Sequence, residues 1–185
     1  MIQRVGRRGD EGFTLLELLV VVFIIGIVAT MFTLAVGTAG GTDKELRRET
    51  ERLQTLIKLA LEDATFQAHE MGLRLYPDHY EFAVYDRGNL LDPTDDNWMP
   101  ITDDVFAPRE LPAVFALELD IEGRAVNLER SAKDVEKAYK PQLFIYSSGD
   151  ISDAFEVKIR SLEEDRSYTL AVHIDGSTEI TKDGG

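Results

Sequence analysis

Cysteine is absent from the 185 residues, which removes disulfides and thiolate metal sites and leaves the compartment undecided. Positive charge is scarce: 20 Lys and Arg stand against 34 Asp and Glu, a formal net charge of −14. The imbalance is not spread evenly. Before Asp43, Arg4, Arg7 and Arg8 are cancelled by Asp10, Glu11 and Glu17, so the whole excess lies on 43–185. A domain this acidic repels phosphate backbones, which argues against nucleic-acid recognition. The signatures of common chemistry are missing too. His69, His79 and His173 are scattered and show no HExxH-type spacing. The serines of "YSSGDIS" lack a GxSxG elbow, so Ser147, Ser148 and Asp150 read as shapers of a turn before a strand. No phosphate-cradling glycine loop follows a strand, and there is no internal repeat or low-complexity tract. No enzyme and no cofactor emerge from this inventory.

What the chain does have is a long apolar run, 13–36, with Glu17 as its only charged residue. As a helix it would reach about 36 Å at ~1.5 Å per residue, enough for a ~30 Å hydrocarbon core. The arginines ahead of it predict a cytoplasmic N-terminus and an exported acidic domain. A cleaved secretory signal, cut after Ala39, is one alternative, but the run exceeds the ~7–15 apolar residues such signals use. A plain anchor with an incidental acid is another. A central acid costs roughly 2.5–3.5 kcal/mol on insertion, and less near a helix end.

Gly12-Phe13-Thr14-Leu15-Leu16-Glu17, a basic leader before it and an apolar run after it resemble the class III signal of type IV pilins and pseudopilins. The resemblance implies that a membrane-embedded prepilin peptidase cuts between Gly12 and Phe13 and methylates the Phe13 amine. It implies that the apolar helix becomes the core of a helical filament, with Gly26 at a place where many pilin helices carry a small residue. Glu17, the fifth residue from Phe13, then has a physical reason. Each charge alone is costly in an apolar core, but a carboxylate paired with a neighbouring subunit's amine offsets both penalties.

Beyond the run, Gly37, Gly40 and Gly41 mark a joint. Thr42 with Glu45 three residues later forms a capping box, so a second helix is expected from near Asp43. Leu46, Leu53, Ile57, Ala60, Leu61, Ala64, Ala68 and Met71 give it one apolar stripe, and Gly72 is expected to end it. Arg47, Arg48, Glu51, Arg52 and Lys58 fall largely away from the stripe.

After Gly72 the period becomes two. Tyr80, Phe82 and Val84 alternate with polar or small residues, as do Phe155, Val157 and Ile159, and Tyr168, Leu170, Val172 and Ile174. The last two runs are joined by a hairpin loop at 162–166. Asp175-Gly176 signals a turn into a terminal strand at 177–182. Further strands are expected at 114–119, 124–128 and 142–146, with Pro108 and Pro112 bracketing a connection and 132–139 a short helix or loop. The result is an α+β domain: one long helix on an antiparallel sheet, with enough strands for a second sheet. Asp92, Asp95, Asp96, Asp103 and Asp104 surround Trp98 in an oxygen-rich stretch. Its spacing fits no EF-hand, and Pro93 and Pro100 favour a plain surface loop over a calcium site.

Gly72-Leu73 leading to Tyr80-Glu81-Phe82, Trp98, and Ser148-Gly149-Asp150 before the strand from Phe155 are similar to the H-type minor pseudopilins of type II secretion systems. That likeness implies a structural subunit that helps to initiate or cap a periplasmic pseudopilus driving protein export. A minor pilin of a type IV pilus is the alternative. The likeness to the pseudopilins implies a prepilin leader at 1–12, a membrane helix and filament core at 13–36, a glycine joint at 37–42 and a periplasmic pilin-like domain at 43–185. The implied partners are the prepilin peptidase, an inner-membrane assembly platform and other pseudopilins met through the N-terminal helix, with no nucleic acid among them.

Overall fold

The computed structural model describes residues 15–39, 41–86, 98–102, 104–128 and 140–183, with the side chains of the first stretch described over 15–27. The chain divides into two compact units, Met1–Gly41 and Thr42–Gly185. In the first, α1 spans Leu15–Ala39 and includes Gly37. The helix α2, Gly41–Gln67, starts two residues ahead of Asp43 and belongs to the second unit from Thr42 on.

One face of α2 is buried: Leu46, Glu49, Thr50, Leu53, Leu56, Ile57, Ala60 and Ala64 recur at helical spacing. Thr50 is tolerated there because its hydroxyl donates to the Leu46 carbonyl at 2.9 Å. The helix is shorter than the expected run to Met71, and Gly72 does not end it. The stop is Ala68, whose φ of 54° puts it in the left-handed region. The His69 N–H then donates to the Ala64 carbonyl at 3.2 Å, the long-range bond of a Schellman cap. Ala68 is accordingly exposed, and Met71 belongs to the next strand.

Two five-stranded sheets follow. The first contains β1 (Met71–Leu75), β2 (His79–Tyr85), β3 (Trp98–Pro100), β4 (Arg109–Glu110) and β7 (Leu143–Ile145). Its order is β3-β2-β1-β7, and β4 also pairs with β2. The second is built from β5 (Phe115–Ile121), β6 (Arg124–Val126), β8 (Phe155–Ser161), β9 (Ser167–Val172) and β10 (Thr178–Asp183), in the order β10-β9-β8-β5-β6. Each pairing is antiparallel.

Register carries the inward side chains together: Leu117 faces Ile159, Leu119 faces Val157, and Val157 faces Leu170 on the other side. These residues, the α2 stripe, and Leu73, Phe82, Leu143 and Ile145 of the first sheet form one core. The expected two-sheet α+β fold is therefore present. Lys182 of β10 meets Asp43 at 2.7 Å, and the Tyr168 hydroxyl donates to the same carboxylate at 3.3 Å, tying the first turn of α2 to the second sheet. Lys182 holds the Asp43 carboxyl below its ordinary range.

Several details depart from the sequence pattern. β1 begins with Met71 and Gly72, which the sequence pattern places at the end of the helix. Gly72 is buried in it, where an added Cβ would stand 2.3 Å from Pro141 Cγ and 3.0 Å from Trp98 Cζ3. The glycine lets a proline and an indole lie on the strand. The connection bracketed by Pro108 and Pro112 contains β4, whose Arg109 pairs with Tyr80 in register. β9 stops at Val172, so Ile174 is 52% exposed in the turn before β10. Asp104 begins a 3-10 turn, whereas Asp92, Asp95, Asp96 and Asp103, like the 132–139 segment, lie outside the described residues.

Candidate functional site: an apolar helix headed by an acid

Gly12 and Phe13 lie outside the described residues, and Glu17 stands in the first turn of α1. A carboxylate is favoured there by the positive end of the helix dipole. Over the described side chains, 15–27, the helix offers no polar face around or after Glu17. Leu15 is 88% exposed, Leu16 74%, and Val22 and Phe23 65% each. A helix apolar all round is stable only inside a membrane or among other apolar helices. At Gly26, no described atom lies within 4 Å of where a Cβ would stand, so the apolar wall carries a notch that permits close approach of another helix. Among the described residues no helix is long and apolar enough to cross a membrane. The described side chains of α1, 15–27, fall short of the ~20 that a span requires.

The domain contributes no competing constellation among the described residues. The His69 Nε2 lies 3.2 Å from Asp63 Oδ2 at the end of α2. His79 lies 2.7 Å from Asp78 and stacks on Tyr76 at 4.0 Å. His173 is exposed, and its carbonyl accepts the Gly176 N–H in the turn before β10. No group of three or more His, Cys, Asp or Glu among the described residues is placed to hold a metal. Ser147 donates to Glu70 from both its hydroxyl and its N–H at 3.2 Å, and Ser148 donates to Asp150 at 3.0 Å. With Gly149 N–H donating to the Tyr146 carbonyl at 2.9 Å, these bonds hold a tight turn.

Sequence reasoning missed one buried polar cluster. Glu49 is 5% exposed, and its Oε1 accepts from Arg109 Nη2 of β4 at 2.9 Å. That bond holds the Arg109 guanidinium above its ordinary pKa. The Tyr80 hydroxyl and Glu49 Oε2 are buried with no hydrogen-bond partner. Burial, followed by the Glu49 charge, pushes the Tyr80 phenol up to about 12. A signal for Glu49 existed: it lies three residues after Leu46 and four before Leu53, inside the apolar stripe.

The description "Prokaryotic N-terminal methylation motif" fits residues 7–33, which include Gly12, Phe13 and Glu17. The chain is 34% identical to type II secretion system protein H of Pseudomonas aeruginosa over 78% of its length and 80% of that protein. With the same-named protein of Aeromonas hydrophila it shares 30% identity over 91% of each chain. Among solved structures, the minor pseudopilin EpsH of the Vibrio cholerae type II secretion system superposes with a TM-score of 0.60 at 18% identity, covering 78% of this chain and 99% of that one. Escherichia coli GspH gives 0.57 at 16% identity, covering 78% and 93%. At such identities the structures establish the fold, and the sequence relatives establish the kinship.

Proposed function

Because the chain belongs to the type II secretion system protein H family, we propose that it is a minor pseudopilin, a structural subunit that helps to initiate or cap a periplasmic pseudopilus. The observation that carries this reading is α1: a helix with exposed apolar side chains on every side and one acid in its first turn. Such a helix has a use only where other apolar helices or lipid surround it. The methylation motif and the kinship support membrane anchoring with a periplasmic domain.

In this reading prepilin peptidase cuts between Gly12 and Phe13 and methylates the Phe13 amine, leaving a cation at the head of the helix. Before assembly that amine can stay near the headgroups. Within a filament it is surrounded by apolar side chains, and Glu17 of an adjacent subunit supplies the counter-charge. The pair offsets two desolvation penalties and fixes the axial register of neighbouring helices, more as a pin than as glue. The domain from Thr42 onward faces the periplasm, while the N-terminal leader stays on the cytoplasmic side with the assembly platform.

The work is mechanical and structural. Ser147, Ser148 and the Glu49–Arg109 pair make contacts that serve a turn and the packing of α2, and in this reading the chemistry is done to the chain by its peptidase. Mass spectrometry of the mature N-terminus tests the reading. Methylated Phe13 as the first residue is the expected result. A chain beginning at Gly40 would instead make 1–39 a cleaved secretory signal and remove the filament helix altogether.

A further inference from the structure

At the end of α2 farthest from Gly41, the last helical turns border an open hollow of about 710 Å³. Its apolar wall is Leu59, Leu61 and Phe66. Phe66 is 91% exposed, although it sits on a regular helix one residue before its end. The opposite wall is made by two turns, at Gly149 and Gly176, with φ of 93° and 78°. These turns are pressed closely on the helix. A Cβ added at Gly176 would stand 2.8 Å from Leu61 Cδ1, and one at Gly149 would stand 3.6 Å from Thr65 Oγ1. The hollow is therefore framed by packed backbone, and Phe66 projects from its wall.

Among the described residues, three carboxylates line the hollow, those of Glu62, Asp63 and Asp175, and no lysine or arginine does. Asp175 is held in place by Ser177, whose N–H donates at 3.0 Å and hydroxyl at 2.6 Å, and those bonds keep its carboxyl below the ordinary range. Asp63 accepts from Gln67 at 2.6 Å. A large apolar ring beside fixed negative charge selects the chemistry of what covers it. Anionic lipid headgroups and nucleic-acid phosphates are repelled. A second copy of this chain brings a domain that carries the whole −14 toward an acidic rim.

We infer that this hollow is a docking surface for a protein segment in which lysine or arginine flanks one large apolar side chain, presented by a different subunit of the same filament. The inference rests on the reading of the chain as a filament subunit. The apolar side chain fills the space beside Phe66 and supplies most of the affinity, as central aromatic anchors do at interfaces. The flanking cations meet the carboxylates of Glu62 and Asp175, since Asp63 is already engaged by His69 and Gln67, and they orient the segment and reject acidic partners.

The test uses the full-length chain in its own membrane, with the photoreactive residue p-benzoylphenylalanine in place of Phe66 and, in a second strain, in place of Phe23 on α1. Irradiation at position 66 is expected to join the chain to another subunit bearing an N-terminal methylation motif. Sequencing of the joined peptides should place lysine or arginine within about three residues of the attached side chain. Adding Glu62→Lys and Asp175→Lys should reduce that product at least about tenfold while helix crosslinks from position 23 persist, which shows that the charge-reversed chain still folds and assembles. Position-66 products with phospholipid, with a second copy, with this chain's own 129–139 segment or with an acidic segment would overturn the inference. So would silence at 66, or indifference to the charge reversals, while position 23 still crosslinks. Silence at both positions would remove the filament reading itself, and this inference with it.

Discussion

Removing the Glu49 carboxylate tests how α2 is held to the first sheet. Glu49→Leu takes away the acceptor that lies 2.9 Å from Arg109 Nη2 and leaves the guanidinium beside an apolar side chain. Breaking a buried pair by deleting one partner costs ~3–5 kcal/mol. The Arg109 side chain is 36% exposed, so water recovers part of its solvation and the expected loss is roughly 2 kcal/mol. For a domain of this size that is a fall in Tm of about 6 °C. Arg109→Met should cost more, toward ~4 kcal/mol, because the carboxylate left behind is only 7% exposed and cannot be rehydrated in place. The double variant removes both charges and should lie closer to the parent than Arg109→Met does. The assay is thermal and urea unfolding of the domain from Thr42 onward, read as a double-mutant cycle. Losses that simply add in the double variant would mean that the two groups do not interact in solution, and the pinning of α2 to β4 would be wrong.

Other consequences are as direct. The Tyr80 phenol titrates at about 12 in the folded domain against 10.0 ordinarily, so the folded state holds its proton longer than the unfolded chain does. Stability should be fully present below pH 10 and fall as pH rises toward 12, by up to ~2.7 kcal/mol, and Tyr80→Phe should flatten that slope in urea titrations. An unchanged slope would refute the assignment. Ala68→Gly relieves a left-handed alanine at the end of α2 and should raise stability by about 0.5–1 kcal/mol, an increase in Tm of a few degrees by calorimetry. A fall in Tm would mean that the helix does not end as described.

The readable parts of this fold were those with an uninterrupted period. The stripe of α2 and the alternation of β2, β8 and β9 repeat often enough to declare their type, and Asp175-Gly176 announces the turn into β10. What stayed hidden lacked local signal. β3 and β4 have three and two residues, too few to show alternation, and exist because β2 offers its edge to them. Gly72 looked like a helix stop because glycine usually is one, whereas its role is set by Pro141 and Trp98, which come from distant parts of the chain. Ala68 carried no sign of a left-handed residue. The candidate site divides in the same way. Glu17 is conspicuous because an acid in an apolar run violates a local rule. The hollow beside Phe66 is assembled from a helix end and two turns that lie far apart in sequence, so no short stretch could reveal it.

The central claim is that Glu17 is the counter-charge for a neighbouring subunit's amine. The most direct measurement is crosslinking between α1 helices in the inner membrane, scored with secretion, for Glu17→Val in the full chain. Insertion should persist, since a charge leaves the apolar run. Processing should persist as well, since Gly12 and Phe13 are unchanged. Assembly should fail, because a buried amine without its partner costs ~3–5 kcal/mol, several hundredfold or more in association. The account predicts a processed, inserted chain with neither interhelical crosslinks nor secretion. Normal crosslinks and normal secretion with valine at position 17 would contradict it and leave the helix as a plain anchor.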